Sequence, residues 1–173
     1  CVLSCFDEGN YSKAIPVPGE INIALYHGAV RGSLTDTDWQ LDGEININSF
    51  ENYEFTMLGD IHKQQFLNEK KTIAYCGSTI QQNYGESGEK GFLLWDIRSP
   101  DDFDVEFYPV RHDNPFITVG WQGSVEHTLT KCKSFSNGVR FRIRTDQSAT
   151  HVECRRLQKE LIKYYNAKEV VFK

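Results

Sequence analysis

Apolar and polar positions along the chain change their rhythm near residue 115. Before that point, short apolar runs separated by polar loops predict strands of a buried or half-buried sheet. "INIALYHG" (21–28) is such a run and ends in His-Gly; "AVRGSLTDTD" after it reads as loop. "SFENYE" reads as a short helical turn with Ser49 as its cap. "YEFTML" (53–58) predicts the next strand, closed by Gly59, and "TIAYCGS" (72–78) another, followed by the polar loop "TIQQNYGESGEK". "GFLLWDI" and "DFDVEFYPV" flank the turn-rich "RSPDD" and predict a β-hairpin. Phe103, Val105 and Phe107 alternate there with Asp104, Glu106 and Tyr108, the period of a half-buried strand.

Beyond "RHDNP" (111–115), which reads as a linker, the pattern becomes β-α-β-α-β. The strands are "FITVGW", "GVRFRIR" and "KEVVF". The first helix, 124–135, places Val125, Leu129 and Cys132 on one face, with Asn137-Gly138 as its expected stop. The second, 150–166, opens with the capping-box pattern Thr150-x-x-Glu153 and carries Cys154, Leu157, Leu161 and Tyr164/Tyr165 as its apolar stripe.

Charge follows the same division. Residues 1–114 hold 8 Lys and Arg against 19 Asp and Glu, whereas residues 115–173 hold 11 against 5. An acidic part joined to a basic part predicts two modules with different partners: metal and solvent for the first, a polyanion for the second. No apolar run reaches the about 18 residues that span a membrane, so no membrane partner is expected. The five cysteines form no C-x-x-C pair, which points to reduced, mostly buried thiols and a cytoplasmic setting. The chain opens "CVLSCFDEGN", without Met or a basic leader, and reads as a piece of a longer protein.

Three candidate metal ligands stand at strand ends: His27, Asp60 and His62. If the backbone is extended, positions i and i+2 face one way, so Asp60 and His62 share a site. Gly28 and Gly59 permit close backbone approach. Imidazole with carboxylate suits Mn²⁺, Fe²⁺ or Zn²⁺ rather than Ca²⁺. In the basic part, Arg140, Arg142 and Arg144 alternate with Phe141 and Ile143, giving one guanidinium face and one core face. Arg155, Arg156, Lys159 and Lys163 lie on the polar flank of the last helix. Arg140, Arg142, Arg144, Arg156 and Lys159 are the candidate contacts to DNA phosphate, against the plainer reading of a solvated sheet face. Ser78 reads as a turn residue near the site. His112, His127 and His151 read as non-ligands, and Trp39, Trp95 and Trp121 as packing residues.

The ordered series "ALYHG", "FENYEFTMLGDIHKQQ", "IAYCGSTIQQNYGE" and "KGFLLWDI", within residues 21–97, resembles the second half of the calcineurin-like metallophosphoesterases. In particular it resembles the SbcD-type nucleases, which repair DNA double-strand breaks with an SMC-like ATPase. The resemblance implies an α/β (α+β) fold: the C-terminal half of a two-sheet sandwich in residues 1–111, then a small β-α-β-α-β cap that contacts DNA in residues 112–173. It also implies a two-metal site, usually Mn²⁺, that activates water for attack on a phosphodiester. His27 matches the isolated ligand His, and His62 the second His of Gly-His-x-His. Asp60 stands where the first His is usual, as a working carboxylate ligand or as the mark of a lost site. Cys76 replaces the Pro of Tyr-Pro-Gly-Ser.

The family's N-terminal motifs, Asp-x-His, Gly-Asp-x-x-Asp and Gly-Asn-His, are absent from this chain. Asp7, Glu8 and Asn10 do not replace them and read as loop polarity. Two other functions stay open: a phosphomonoesterase or cyclic-nucleotide phosphodiesterase of the same superfamily, and a catalytically silent DNA- or protein-binding module. A viral source is compatible with the resemblance, since phages carry such nucleases.

Two measurements follow from this reading. Calorimetry on this chain alone should show weak or no Mn²⁺ binding; tight stoichiometric binding would contradict an incomplete site. Light scattering should show self-association, such as a homodimer, because half a sandwich leaves apolar sheet surface uncovered; a strictly monomeric species would contradict that.

Overall fold

A computed structural model describes residues 1–173 apart from the side chains of Glu8 and Ser12. The fold is mixed α/β of the α+β kind, in two compact units. Residues 1–79 and 85–110 form the first, and residues 80–84 and 111–173 the second.

The first unit is built on a five-stranded sheet of β1 (Val2–Leu3), β2 (Ile23–His27), β3 (Phe55–Gly59), β4 (Gln65–Phe66) and β5 (Ile73–Tyr75), in the order β1-β2-β3-β5-β4. All neighbours run parallel except β4, which is antiparallel to β5. Ala24 and Tyr26 of β2, Leu58 of β3 and Tyr75 of β5 are buried with Leu3, Val30 and Phe50, and form the core on one face. Phe50 reaches it from a 3-10 turn, Ile47–Phe50, whose N-cap is Asn46: its side chain accepts from Asn48 N. The cap is thus Asn46 rather than Ser49, because the turn starts earlier than the apolar pattern suggests.

A hairpin of β6 (Gly91–Ser99) and β7 (Asp102–Pro109) completes this unit. Its burial alternates residue by residue, with Leu93, Trp95, Phe103, Val105 and Phe107 on the half-buried side. Phe55, fully buried on the second face of the sheet, packs edge-on against Phe103 at 4.9 Å and Trp95 at 5.8 Å. The cover does not reach the far end of that face: Leu25 is 42 % exposed, and an apolar groove of about 640 Å³ runs past Leu25, Met57, Leu93 and Trp95 to His27.

The second unit holds β8 (Phe116–Gly120), α1 (Val125–Cys132), β9 (Arg140–Arg144), α2 (His151–Tyr165) and β10 (Glu169–Phe172), the expected β-α-β-α-β order. Its three strands are all parallel, in the order β10-β9-β8. Consecutive crossovers stepping in one direction put both helices on one face. Phe141 and Ile143 are buried against them with Val125, Cys132, Leu157 and Leu161. Ser124 caps α1, and Thr150 with Glu153 forms the complete capping box of α2. Asn166, at φ +47°, closes α2 in the left-handed conformation. Helix α1 ends at Cys132, before Asn137-Gly138, and Gly138 (φ +86°) instead turns the chain into β9.

Two packing expectations change. Cys132 is buried, and burial pushes its thiol up to about 11, but Cys1, Cys5 and Cys76 are exposed; all five thiols are free. Trp95 and Trp121 pack as expected, whereas Trp39 is 71 % exposed, on the tip of the loop after β2. Among the described residues no helix is long and apolar enough to cross a membrane.

Candidate functional site

The candidate ligands emerge at the C-terminal edge of the parallel strands, where open α/β sheets place their sites. His27 is the last residue of β2 and pairs in register with Gly59, the last of β3. A Cβ on Gly59 would lie 2.9 Å from His27 Cδ2, so the glycine leaves room for the imidazole. The loop after His27 is tied down from β5. Val30 N donates to the Tyr75 hydroxyl at 2.9 Å, and that hydroxyl donates to Gly28 O at 2.7 Å. Burial raises the Tyr75 pKa, which keeps the hydroxyl protonated and able to donate.

Asp60 follows Gly59 with φ +89°, a conformation rare for residues other than glycine. Such strain persists only where the surroundings over-determine it, and it clusters at functional sites. The chain leaves the strand at this residue. The alternation that would have aimed Asp60 and His62 the same way therefore does not apply, because it requires extended backbone at both positions.

His62 has a defined neighbourhood. Its Nδ1 lies 3.0 Å from Glu86 Oε1. Glu86 Oε2 in turn meets Lys90 Nζ at 3.0 Å, and the same ammonium reaches Asp36 Oδ2 at 3.4 Å and donates to the His62 carbonyl at 3.2 Å. Lys90 is buried, with only 1 % of its side chain exposed; Glu86 and Asp36 are nearly as enclosed. One flank of His62 lines a cleft of about 340 Å³ together with Asp36, Asp38 and Lys63, and Lys63 pairs with Asp38. Glu86, Lys90 and Asp36 were not singled out in the sequence. The signal available for them was a lysine directly before the apolar run of β6, where burial would force it to find carboxylates.

Two tests of metal fit give different answers. In kind, the donors suit a divalent transition ion, since imidazole and carboxylate are its usual ligands and a ligating His commonly donates its other nitrogen to a carboxylate. In number they fall short: among the described residues no group of three or more His, Cys, Asp or Glu is placed to hold an ion. His27, Asp60 and His62 thus contribute at most part of a coordination shell. Asp7 and Asn10 bond to each other, which satisfies them locally; the side chain of Glu8 lies outside the described residues.

In the second unit the arginine face of β9 is largely engaged. Arg140 donates to Asn114 O at 2.7 Å and lies 4.9 Å over the Phe116 ring. Arg142 donates to Thr118 Oγ1 at 3.0 Å and to Tyr84 O at 3.1 Å, and lies 5.0 Å over the Tyr84 ring. Tyr84 stacks edge-on against Phe116 and donates to Glu169 Oε2 at 2.8 Å; burial, then Glu169, push its pKa well up. Gln81 brackets Phe116, accepting from its N at 3.0 Å. Residues 80–84, expected to be a polar loop, therefore cover this face. Arg156 pairs with Glu126 at 2.6 Å, whereas Arg144 and Lys159 are exposed. His127 and His151 are exposed on their helices, away from these contacts.

No protein-family model matches the chain. Over 107 residues, 61 % of its length, it is 43 % identical to an uncharacterized protein of Acanthamoeba polyphaga mimivirus. The match spans 8 % of that relative, which is therefore a far longer polypeptide.

Replacing Tyr75 by Phe should destabilise the first unit by about 1–3 kcal/mol, the cost of leaving a buried donor such as Val30 N unpaired. Urea unfolding of the wild type and the variant measures it, and equal midpoints would show that the loop after His27 does not depend on this hydroxyl.

Proposed function

We propose that this chain is the C-terminal part of a metal-dependent nuclease of the SbcD type, joined to a cap that tracks DNA. The observation that carries the reading is His62 held through Nδ1 by a buried carboxylate, in the loop after a parallel strand whose neighbour ends in His27. His27, Asp60 and His62 would hold part of a two-ion Mn²⁺ centre, the rest coming from outside residues 1–173. Such a centre, when bound, activates water and offsets the charge developing on a phosphodiester. The chain's own share is to fix two imidazoles and one carboxylate on short loops at a rigid sheet edge, so that little reorganisation accompanies binding.

The second unit supports a nucleic-acid substrate over a small phosphomonoester or cyclic nucleotide, because a net-basic module has no role toward a small molecule. Arg144 and Lys159 are the cations best placed for phosphate contact; Arg140, Arg142 and Arg156 already hold internal partners. DNA repair or recombination in the cytoplasm of a cell or virus-infected host, with an SMC-like ATPase and a second copy as partners, belongs to the same reading. The absence of a three-residue ligand cluster among the described residues favours one alternative, a silent DNA-binding module.

Cleavage of linear duplex DNA with Mn²⁺, by the full-length protein that carries this chain, separates the two. His62→Ala should lower cleavage by about 100-fold or more, at or beyond the upper end of the 10–100-fold expected for a residue that only supports a ligand. Wild-type cleavage by that variant would overturn the nuclease reading. Salt-sensitive DNA binding with no cleavage by the wild type would establish the silent module instead.

A further inference from the structure

We infer that Glu86 is a positioning residue that fixes the tautomer of His62 and so makes Nε2 its ligating nitrogen; this rests on the metal reading above. A carboxylate accepts hydrogen bonds and donates none when ionised. The His62 nitrogen 3.0 Å from Glu86 Oε1 must therefore carry the proton, and in the neutral ring the lone pair is then on Nε2.

Glu86 is itself fixed. Its second oxygen binds the buried Lys90 ammonium, which also holds the backbone carbonyl of His62. One lysine thus sets both the ring's partner and the backbone that carries the ring. The next residue is pinned as well: Ser87 N donates to Asp36 Oδ1 at 3.1 Å, and Asp36 Oδ2 faces the same ammonium. With both of its oxygens engaged and the next residue held, the carboxylate has little freedom to leave the ring.

The decisive measurement needs no metal. Long-range ¹⁵N–¹H correlation spectra of this chain, at about pH 8 where an ordinary imidazole is neutral, report which His62 nitrogen carries the proton. The wild type should show Nδ1 protonated and Nε2 bare. Glu86→Ala should move the majority of the population to the Nε2–H form that a free imidazole favours. Glu86→Gln, which keeps the shape should the alanine variant fail to fold, should give a mixture, because its amide can accept or donate. A wild-type ring protonated at Nε2, or a tautomer unchanged in both variants, overturns the proposal. In the full-length protein Glu86→Ala should weaken Mn²⁺ affinity by about 10–100-fold. Unchanged affinity would reduce Glu86 to a partner of Lys90 alone. Loss of the nuclease reading, seen as no Mn²⁺-dependent cleavage by the wild type, would leave the tautomer result standing, so the two failures are distinguishable.

Discussion

A buried ammonium organises the first unit around the candidate site. Lys90 has 1 % of its side chain exposed, and an isolated charge in that position costs several kcal/mol unless partners surround it. The partners come from three segments far apart in the chain: Asp36 after β2, the His62 carbonyl after β3, and Glu86 in the loop before β6. Meeting around one Nζ, these segments close over the same end of the sheet. Removing either carboxylate would leave the other and one carbonyl to carry the charge, so the network acts as a unit rather than as a sum of pairs.

The second unit solves a different problem with similar means. Its sequential parallel strands put both helices on one side and leave the other side to Arg140, Arg142 and Arg144. Half of a sheet face lined with arginine would ordinarily be solvated. Here residues 80–84 lie on it, with Tyr84 between Arg142 and Phe116 and its hydroxyl on Glu169. The cation–π contacts and carbonyl acceptors satisfy two guanidinium groups, which leaves Arg144 as the exposed arginine of this face. The chain thus passes from the Tyr75-Cys76-Gly77 loop into the second unit and back to Glu86 within a few residues.

The sheet-edge placement also explains why the candidate ligands are so sparse. His27 and Asp60 stand on the ends of β2 and β3, and His62 on the loop beyond, at an edge that one hairpin only partly roofs. The far end of the sheet's second face stays open as an apolar groove beside His27. A full coordination shell at this edge would need further carboxylates and histidines, and among the described residues no group of three or more is placed to hold an ion.

Strands β2, β3 and β5 to β10, both helices of the basic part and the capping box at Thr150 were legible in the sequence, because hydrophobic period and cap chemistry are local; the two-residue strands β1 and β4 are too short to show a period. The change in charge sign and pattern near residue 111 is local in the same way, whereas nothing in the local pattern marks residues 80–84 as part of the second unit. His27 and His62 could be picked out only as candidates, by their position after apolar runs and by the order of the surrounding motifs. What lay beyond local pattern was every feature made by contact at a distance. The left-handed Asp60, the exposed Trp39 and Cys76, the 80–84 segment laid on the arginine face, and the Asp36–Lys90–Glu86–His62 network each depend on which loops meet. Periodicity tells which residues turn inward, but the partner a buried charge finds there is decided only when the whole chain has closed around it.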